Sequence, residues 1–368
     1  MVRVPPSEPH PDPAAAPPRS PQSQPHDRLG RPLGVLRLSL TARCNLACPY
    51  CLPDGQEPPG LLSLHQRLAL VAACVELGLR SLRLTGGEPL LHRDLEQLVA
   101  AVQPLRQRGL AEVALTSNGT LLSQARARAL RAAGLDRITL SLDGADAASV
   151  ARMAGLADAA AGAEALQRVL AAVEHARSAG FDPARGALKL NAVIQAGRND
   201  DQLLPLAALA RQRGVELRLI EFMDVGNRNG WRPEAVLSAA GMLERIGAHW
   251  PLEAIGRVAH GTAARYRYRD GGGHLAVVAS VSQPFCGDCN RLRITADGHA
   301  FTCLFAAPGS GLDLRPLLRQ PLAPGALQAA IAGLWQQRGD RWSEQRQEAW
   351  QHGGAALPQR AEMAYLGG

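Results

Sequence analysis

From residue 35 onward, short runs of β-branched residues and leucine alternate with longer segments of helical apolar spacing, and this order narrows the fold more than any other feature of the chain. Six strands are predicted, over 35–40, 82–85, 113–116, 137–142, 187–194 and 216–222. The segments between them, such as 63–78, 121–134 and 163–180, repeat their apolar residues at helical intervals and end at glycine, as a helix C-cap does. Strands joined through helices run parallel. Six such units make either an open doubly wound sheet or an incomplete barrel, and periodicity does not separate the two. The polar motifs do. Cys44 to Cys51, Gly86-Gly87-Glu88-Pro89, Ser117-Asn118-Gly119, Asp143-Gly144 and Glu221-Phe222-Met223 stand at the C-terminal ends of five different strands. A barrel collects its functional residues in that way, whereas an open sheet concentrates them at one switch point. The expectation is an α/β fold: an incomplete (β/α)6 TIM-like barrel over 34–224, with a C-terminal capping extension over 225–368.

In that extension the regularity fades. A helix near 235–246, strands near 265–268 and 275–280 and a last helix over 326–338 are predicted, and the whole is expected to cover the open side of the barrel. Residues 1–33 are rich in Pro, Ser, Gln and Ala without apolar periodicity, so they are predicted to be a disordered leader carrying no site residue. Neither a signal-peptide core nor a run of about 18 apolar residues is found, which predicts a cytoplasmic protein with no membrane partner. The net charge of +7 is spread along the chain rather than gathered into basic blocks. It favours a small anionic ligand over a nucleic acid.

Six of the seven cysteines form two groups of three: Cys44, Cys48, Cys51 and Cys286, Cys289, Cys303. A closed tetrahedral zinc site takes four ligands, whereas a four-iron cluster held by three thiolates leaves one iron open for chemistry. A zinc site completed by a distant ligand is the other reading of the first group, and the pair Cys286, Cys289 taken alone is more often half of a zinc knuckle. An odd cysteine count argues against a disulfide framework. The seventh, Cys74, falls in an apolar helical run and is predicted to be a small buried hydrophobe.

Arg37, Arg83 and Lys189 each alternate with leucine inside a predicted strand, so each points to one face of a sheet expected to be buried on both faces. A buried unpaired charge costs several kcal/mol, so an anion must meet these cations or they must lie at a wet rim. Arg291 and Arg293 repeat the alternation beside the second cysteine group. Five such cations suit a triphosphate. Lys189 is the only lysine among 40 basic residues. In a chain that uses arginine elsewhere, this position calls for a compact ammonium, and a phosphate contact is the expected reason.

The C-x3-C-x2-C spacing of Cys44, Cys48 and Cys51, with an aromatic before the third cysteine, resembles the radical S-adenosylmethionine enzymes. The segment 284–293, Pro-Phe-Cys-Gly-Asp-Cys-Asn-Arg-Leu-Arg, resembles one subfamily, the GTP 3',8-cyclases that open molybdenum cofactor synthesis. Leu36-Arg37-Leu38-Ser39, Lys189-Leu190-Asn191 and the terminal Gly367-Gly368 agree with it, and the likeness runs over 35–368. It implies two 4Fe-4S clusters, one on each cysteine group, with S-adenosylmethionine on the first. It further implies removal of the C3' hydrogen of GTP and closure of the sugar onto C8 of the base, giving (8S)-3',8-cyclo-7,8-dihydroguanosine 5'-triphosphate.

Carried over residue by residue, the resemblance assigns Tyr50, Gly87, Ser141 and Met223 to S-adenosylmethionine. Arg37, Arg83, Thr116, Lys189, Arg291, Leu292 and Arg293 go to GTP, with Lys189, Arg291 and Arg293 also serving the reaction, and Gly367 and Gly368 form a tail that enters the site. Asn191 and Glu221 either stand behind these contacts or serve the fold. The implied partners are an electron donor such as flavodoxin or ferredoxin, a second copy in a homodimer, and the cyclic pyranopterin monophosphate synthase that takes the product. Asp143 is followed by Gly144 where the pattern leads one to expect Ser. Two other readings are carried: a radical S-adenosylmethionine peptide or sugar modifier with an auxiliary cluster, and a non-catalytic zinc-binding scaffold. The first would bring more cysteines and lack the Arg-x-Arg; the second lacks fourth ligands.

Overall fold

The structure is a computed structural model that describes residues 24–53, 55–319, 325–351 and 359–368. All six predicted strands form: β1 (Val35–Ser39), β2 (Ser81–Thr85), β3 (Glu112–Ser117), β4 (Arg137–Ser141), β5 (Leu188–Ile194) and β6 (Glu216–Glu221). They lie side by side in chain order, each parallel to the next. The helices between them are α1 (Leu64–Glu76), α2 (Leu95–Ala101), α3 (Gln124–Ala132), α4 (Ala147–Ala154), α5 (Ala159–Ser178) and α6 (Leu203–Gln212). Their starts are chemically marked. Ser63 caps α1 in a reciprocal capping box with Gln66, and Ser123 and Asp158 cap α3 and α5.

Beyond β6 the chain adds α7 (Ala239–Gly247), β7 (Leu252–Gly256), β8 (Ala264–Tyr268), β9 (His274–Val278), β10 (Arg291–Ile294), β11 (His299–Phe301), β12 (Leu312–Asp313), α8 (Ala326–Gln336), α9 (Trp342–Gln351) and α10 (Met363–Leu366). This region does more than cover an open side. β9 pairs parallel with β6, and β10 pairs parallel with β1, so the C-terminal half lengthens the barrel wall at both edges.

Alternation decides what each face meets. Leu36, Leu38, Leu82, Leu84, Ile138, Leu140, Leu217 and Leu219 are fully or almost fully buried in the layer shared with the helices, where Cys74 also packs. The intervening residues, Arg37, Arg83, Thr139, Asn191 and Arg218 among them, face the lumen. The interior of this barrel is therefore polar where parallel sheets are ordinarily apolar on both sides.

The leader expectation needs correcting over its last ten residues. Residues 24–33 belong to the folded body: Leu33 is fully buried, Asp27 and Arg31 are buried, and Gln24 Nε2 donates to Leu33 O at 2.8 Å. Composition misled because Gly30 here sits in a tight turn, Asp27 N to Arg31 O at 3.1 Å, and the flanking Pro25 and Pro32 join a local pairing rather than an irregular chain. The rest of the predicted leader lies outside the described residues. Among the described residues no helix is long and apolar enough to cross a membrane.

Candidate active site

The first cysteine group occupies the loop after β1, and the Gly-Gly-Glu-Pro turn after β2 is laced to it. Gly87 N donates to Thr41 O and Glu88 N to Arg43 O, both at 2.8 Å. A Cβ on Gly86 would stand 2.5 Å from Thr41 O and one on Gly87 2.2 Å from Arg43 O, so these backbones meet only because both residues are glycine. Glu88 is fully buried and accepts from Leu90 N, Ser117 Oγ and Asn118 N at 2.9, 2.8 and 2.7 Å, which fixes the end of β3 to the turn. Asn118 Nδ2 then reaches Cys44 Sγ at 3.7 Å.

Tyr50, between the second and third cysteines, donates through its hydroxyl to Asp143 Oδ2, while Asp143 Oδ1 accepts from Val193 N at 2.7 Å. Burial pushes the Asp143 carboxyl up to about 6 even with these two donors. Gly144 has a packing reason. A Cβ there would lie 2.1 Å from Oγ of Ser149, the residue that closes the first turn of α4 on Asp146.

Cys286 and Cys289 bracket a single 3-10 turn that leads into β10, and Cys303 follows β11. Arg291 Nη2 lies 3.1 Å from Cys289 Sγ. Burial raises the Cys289 thiol, but the Arg291 and Arg338 guanidiniums overcome it and bring the thiol down to about 6. Burial instead pushes Cys51 and Cys303 up to about 12 and Cys48 well above its ordinary value.

All six of these cysteines line one cavity of about 340 Å³. Each group presents three thiols. Three thiolates match the three corners by which a four-iron cube can be held with one iron left open. The donor sets fit such cubes.

Arg37, Arg83, Arg218, Arg291 and Arg293 line the same cavity, with Thr116, Ser141, Asn191, Gly87, Tyr50 and Met223. Arg83 makes no hydrogen bond or ion pair to any described residue. Its buried Nε, the Nε of Arg218 and Oδ1 of Asn191 all lack hydrogen-bond partners among the described residues. Burial and then mutual repulsion lower Arg83 to about 9 and Arg293 to about 10, and hold Arg37 well below its ordinary value. Such a lumen is short of an anion.

The C-terminal tail supplies part of what is missing. Gly367 O accepts from Arg37 Nε at 3.0 Å, Thr85 Oγ1 at 3.2 Å and Arg293 Nη1 at 3.3 Å, and Gly368 O accepts from Arg37 Nη2 at 2.7 Å.

Lys189 and Leu292 stand differently from the expectation, and Glu221 takes the second of the two roles open to it. Lys189 faces inward but is not on the cavity wall; its Nζ pairs with Glu216 Oε1 at 2.9 Å, and Glu216 also meets Arg218 and Arg265. Leu292 is fully buried in the apolar layer, because the alternation that turns Arg291 and Arg293 inward turns it outward, so only its backbone is available to a ligand. Glu221 serves the fold: its carboxylate accepts from Ala239 N at 2.6 Å, Val281 N at 2.7 Å and Ser282 N at 2.9 Å. Arg137 and Arg218 went unnoticed, although both show the same Leu-or-Ile alternation that marks Arg37 and Arg83.

Comparison with known proteins fits this geometry. The Radical SAM superfamily model matches residues 38–210, and the Molybdenum Cofactor Synthesis C model matches 215–344. A GTP 3',8-cyclase of Synechococcus sp. (strain CC9605) is 61% identical over 93% of this chain and 98% of its own length. The chain belongs to the GTP 3',8-cyclase family. More distant members agree, including those of Acidothermus cellulolyticus at 44% and Xanthomonas axonopodis pv. citri at 45% identity, each over 93% of this chain and 98% of the relative. For the fold alone, Streptococcus suis SuiB bound to S-adenosylmethionine superposes with a TM-score of 0.58 at 14% identity, over 81% of this chain and 69% of that one. Both family matches meet between β5 and β6, so the cyclase family's barrel is completed by strands from either side of that boundary.

Proposed function

We propose that this chain catalyses the radical S-adenosylmethionine-dependent conversion of GTP to (8S)-3',8-cyclo-7,8-dihydroguanosine 5'-triphosphate, the first step of molybdenum cofactor biosynthesis. The observation that carries this reading is one cavity whose wall holds both cysteine triads together with Arg83, which has no partner among the described residues. When bound, the first cluster and S-adenosylmethionine supply a one-electron, hydrogen-abstracting chemistry that side chains alone do not offer. Everything else falls to the chain.

Cys44, Cys48 and Cys51 hold the first cluster. The bare Gly87 backbone, Ser141, Met223 and the Tyr50 loop receive S-adenosylmethionine. Arg37, Arg83 and Arg218, with Thr116, grip the triphosphate, and Lys189 acts by balancing Glu216. Cys286, Cys289 and Cys303 hold a second cluster on the base side, where Arg291 and Arg293 stand between cluster and nucleotide. A substrate pinned at phosphate and base presents its ribose in one orientation, and the lumen wall limits the water that reaches the reacting carbon. The domain division at about residue 224, a flavodoxin or ferredoxin as donor, a homodimer, a cytoplasmic setting and transfer of product to cyclic pyranopterin monophosphate synthase belong to the same reading and are supported by family membership.

The test is anoxic reconstitution followed by incubation with S-adenosylmethionine, reductant and each nucleoside triphosphate in turn. The expected result is about eight irons per chain and consumption of GTP alone. Zinc in either triad, or turnover that ignores GTP, refutes the proposal.

A further inference from the structure

Beside the second cysteine triad lies a network that runs from the cavity wall, where Thr302, Arg338 and Asp340 stand, into the buried segment before β1, and it reaches Cys286, Cys289 and the neighbour of Cys303. Arg31 Nη1 donates to Cys286 O at 2.6 Å and to Asp340 O at 3.0 Å. Arg338 Nη1 donates to Cys289 O at 2.7 Å. Thr302, next to Cys303, donates through Oγ1 to Asp340 Oδ2 at 2.8 Å.

Two carboxylates tie these three arms together. Asp27 Oδ2 pairs with Arg31 Nε at 2.5 Å and lies 3.7 Å from Arg338 Nη1, and Asp340 Oδ1 meets Arg338 Nη2 at 3.1 Å. The side chains of Asp27, Arg31 and Arg338 are 0, 2 and 1% exposed. Trp335 Nε1 closes the arrangement on Arg31 O at 2.9 Å.

Burying two guanidiniums and a carboxylate this deeply is costly, and hydrophobic residues of similar volume would commonly serve stability as well or better. What apolar residues would not supply is directed donation to the carbonyls of Cys286 and Cys289, from guanidiniums whose charge Asp27 and Asp340 balance. We propose that Asp27 and Arg31, from the segment just before β1, are positioning residues of the second site. They orient Cys286 directly and Cys289 through Arg338, and they set the electrostatic field in which a cluster there is reduced. The proposal rests on the reading that this triad holds a cluster. Its physical content is that Arg31 balances the buried charge of Asp27, so removing it leaves an uncompensated carboxylate near the triad that opposes the more negative, reduced state and makes that cluster harder to reduce.

The experiment uses full-length chain carrying Arg31→Met or Arg31→Lys, each reconstituted anoxically, with Cys44, Cys48 and Cys51 replaced by Ala in parallel samples so that only the second site signals. Arg31→Met is expected to weaken iron retention at the second site about 10-fold or more and to move its midpoint potential to more negative values. The first site should keep its iron and its cleavage of S-adenosylmethionine. Arg31→Lys keeps the charge but not the fork, and should restore most of the potential while leaving retention impaired. A second-site electron paramagnetic resonance signal and midpoint unchanged in Arg31→Met would overturn the proposal. So would loss of iron from both sites alike in the two variants, which would assign Arg31 to the folding of the whole body. A parent protein without iron at the second triad would instead overturn the two-cluster reading beneath it.

Discussion

The hydroxyl of Tyr50 lies 2.6 Å from Oδ2 of Asp143, so the aromatic beside the third cysteine of the first triad is tied to the end of β4, across the rim of the barrel. Asp143 takes its proton at about 6 rather than at its ordinary 3.8, because burial disfavours its charge. A carboxyl raised in this way is favoured in the fold when protonated, so its contribution is largest at low pH and is lost as pH rises from 3.8 through about 6. Tyr50→Phe leaves the ionised form without its strongest donor. Denaturant unfolding should show a loss of about 1–3 kcal/mol near pH 8 and a smaller one near pH 5. An equal loss at both values would show that the pair does not couple to ionisation.

Gly87→Ala places a methyl group 2.2 Å from Arg43 O, a backbone atom with no rotamer to yield. The cysteine loop and the turn must separate by about an ångström, a displacement that costs on the order of 100-fold in a reaction dependent on placement. Cleavage of S-adenosylmethionine should fall by that factor, whereas GTP retention on a filter should stay within about twofold, since the lumen cations lie deeper in the barrel.

Among the described residues Arg83 has no hydrogen-bond or ion-pair partner, so its removal should separate affinity from stability. Arg83→Met deletes a buried cation that burial already lowers to about 9. Thermal unfolding of the ligand-free protein should be unchanged or shifted upward. The KM for GTP should rise by about tenfold or more, the equivalent of a lost charge-assisted hydrogen bond of about 1.5–3 kcal/mol. A variant less stable than its parent, with an unchanged KM, would assign Arg83 to the fold.

Local chemistry made much of this legible. Three cysteines within eight positions, two adjacent glycines after a strand, and single arginines inside leucine runs each name a constraint that neighbouring residues alone express. What stayed hidden depends on distant partners. β10 joins β1 across roughly 250 residues of chain, and nothing near Arg291 announces it. Glu216 is an ordinary strand residue until the fold sets it beside Lys189, and Asp27 and Arg31 sit in a window whose proline content reads as irregular. Arg137 and Arg218 were legible by the alternation that exposed Arg83; the difference is that each follows a polar or charged neighbourhood, Asp136 and Glu216, which reads as a solvated strand end.

The tail is held by carbonyls, so its conformation matters more than its side chains. Gly367 has φ +66°, and a Cβ there would stand 2.4 Å from Thr85 Oγ1. Gly367→Ala should therefore withdraw the tail from Arg37 and Arg293. GTP consumption should fall at least about tenfold while cleavage of S-adenosylmethionine without GTP persists, because lost lumen contacts affect only the step that needs the nucleotide. Equal loss of both activities would place the tail's role at the first triad.

Lys189 tests the electrostatics of the lumen by pH. Burial and the nearby Arg218 lower its ammonium from 10.5 to about 8, with Glu216 opposing. A lysine lowered in the fold releases its proton earlier than in the unfolded chain, so stability should rise slightly as pH goes from about 8 to 10.5. GTP binding should move the other way. Above about 8 the Glu216 carboxylate loses one of its three cations, and the excess negative charge opposes a triphosphate entering beside Arg218. The KM for GTP should climb through that range in the parent and stay level in Lys189→Arg, whose charge does not titrate. Lys189→Ala should show the raised KM, about tenfold, at every pH while both iron sites remain assembled. Kinetics of Lys189→Ala that match the parent's would remove this residue from the account of substrate binding, and a parallel alkaline rise in Lys189→Arg would move the titration to another group.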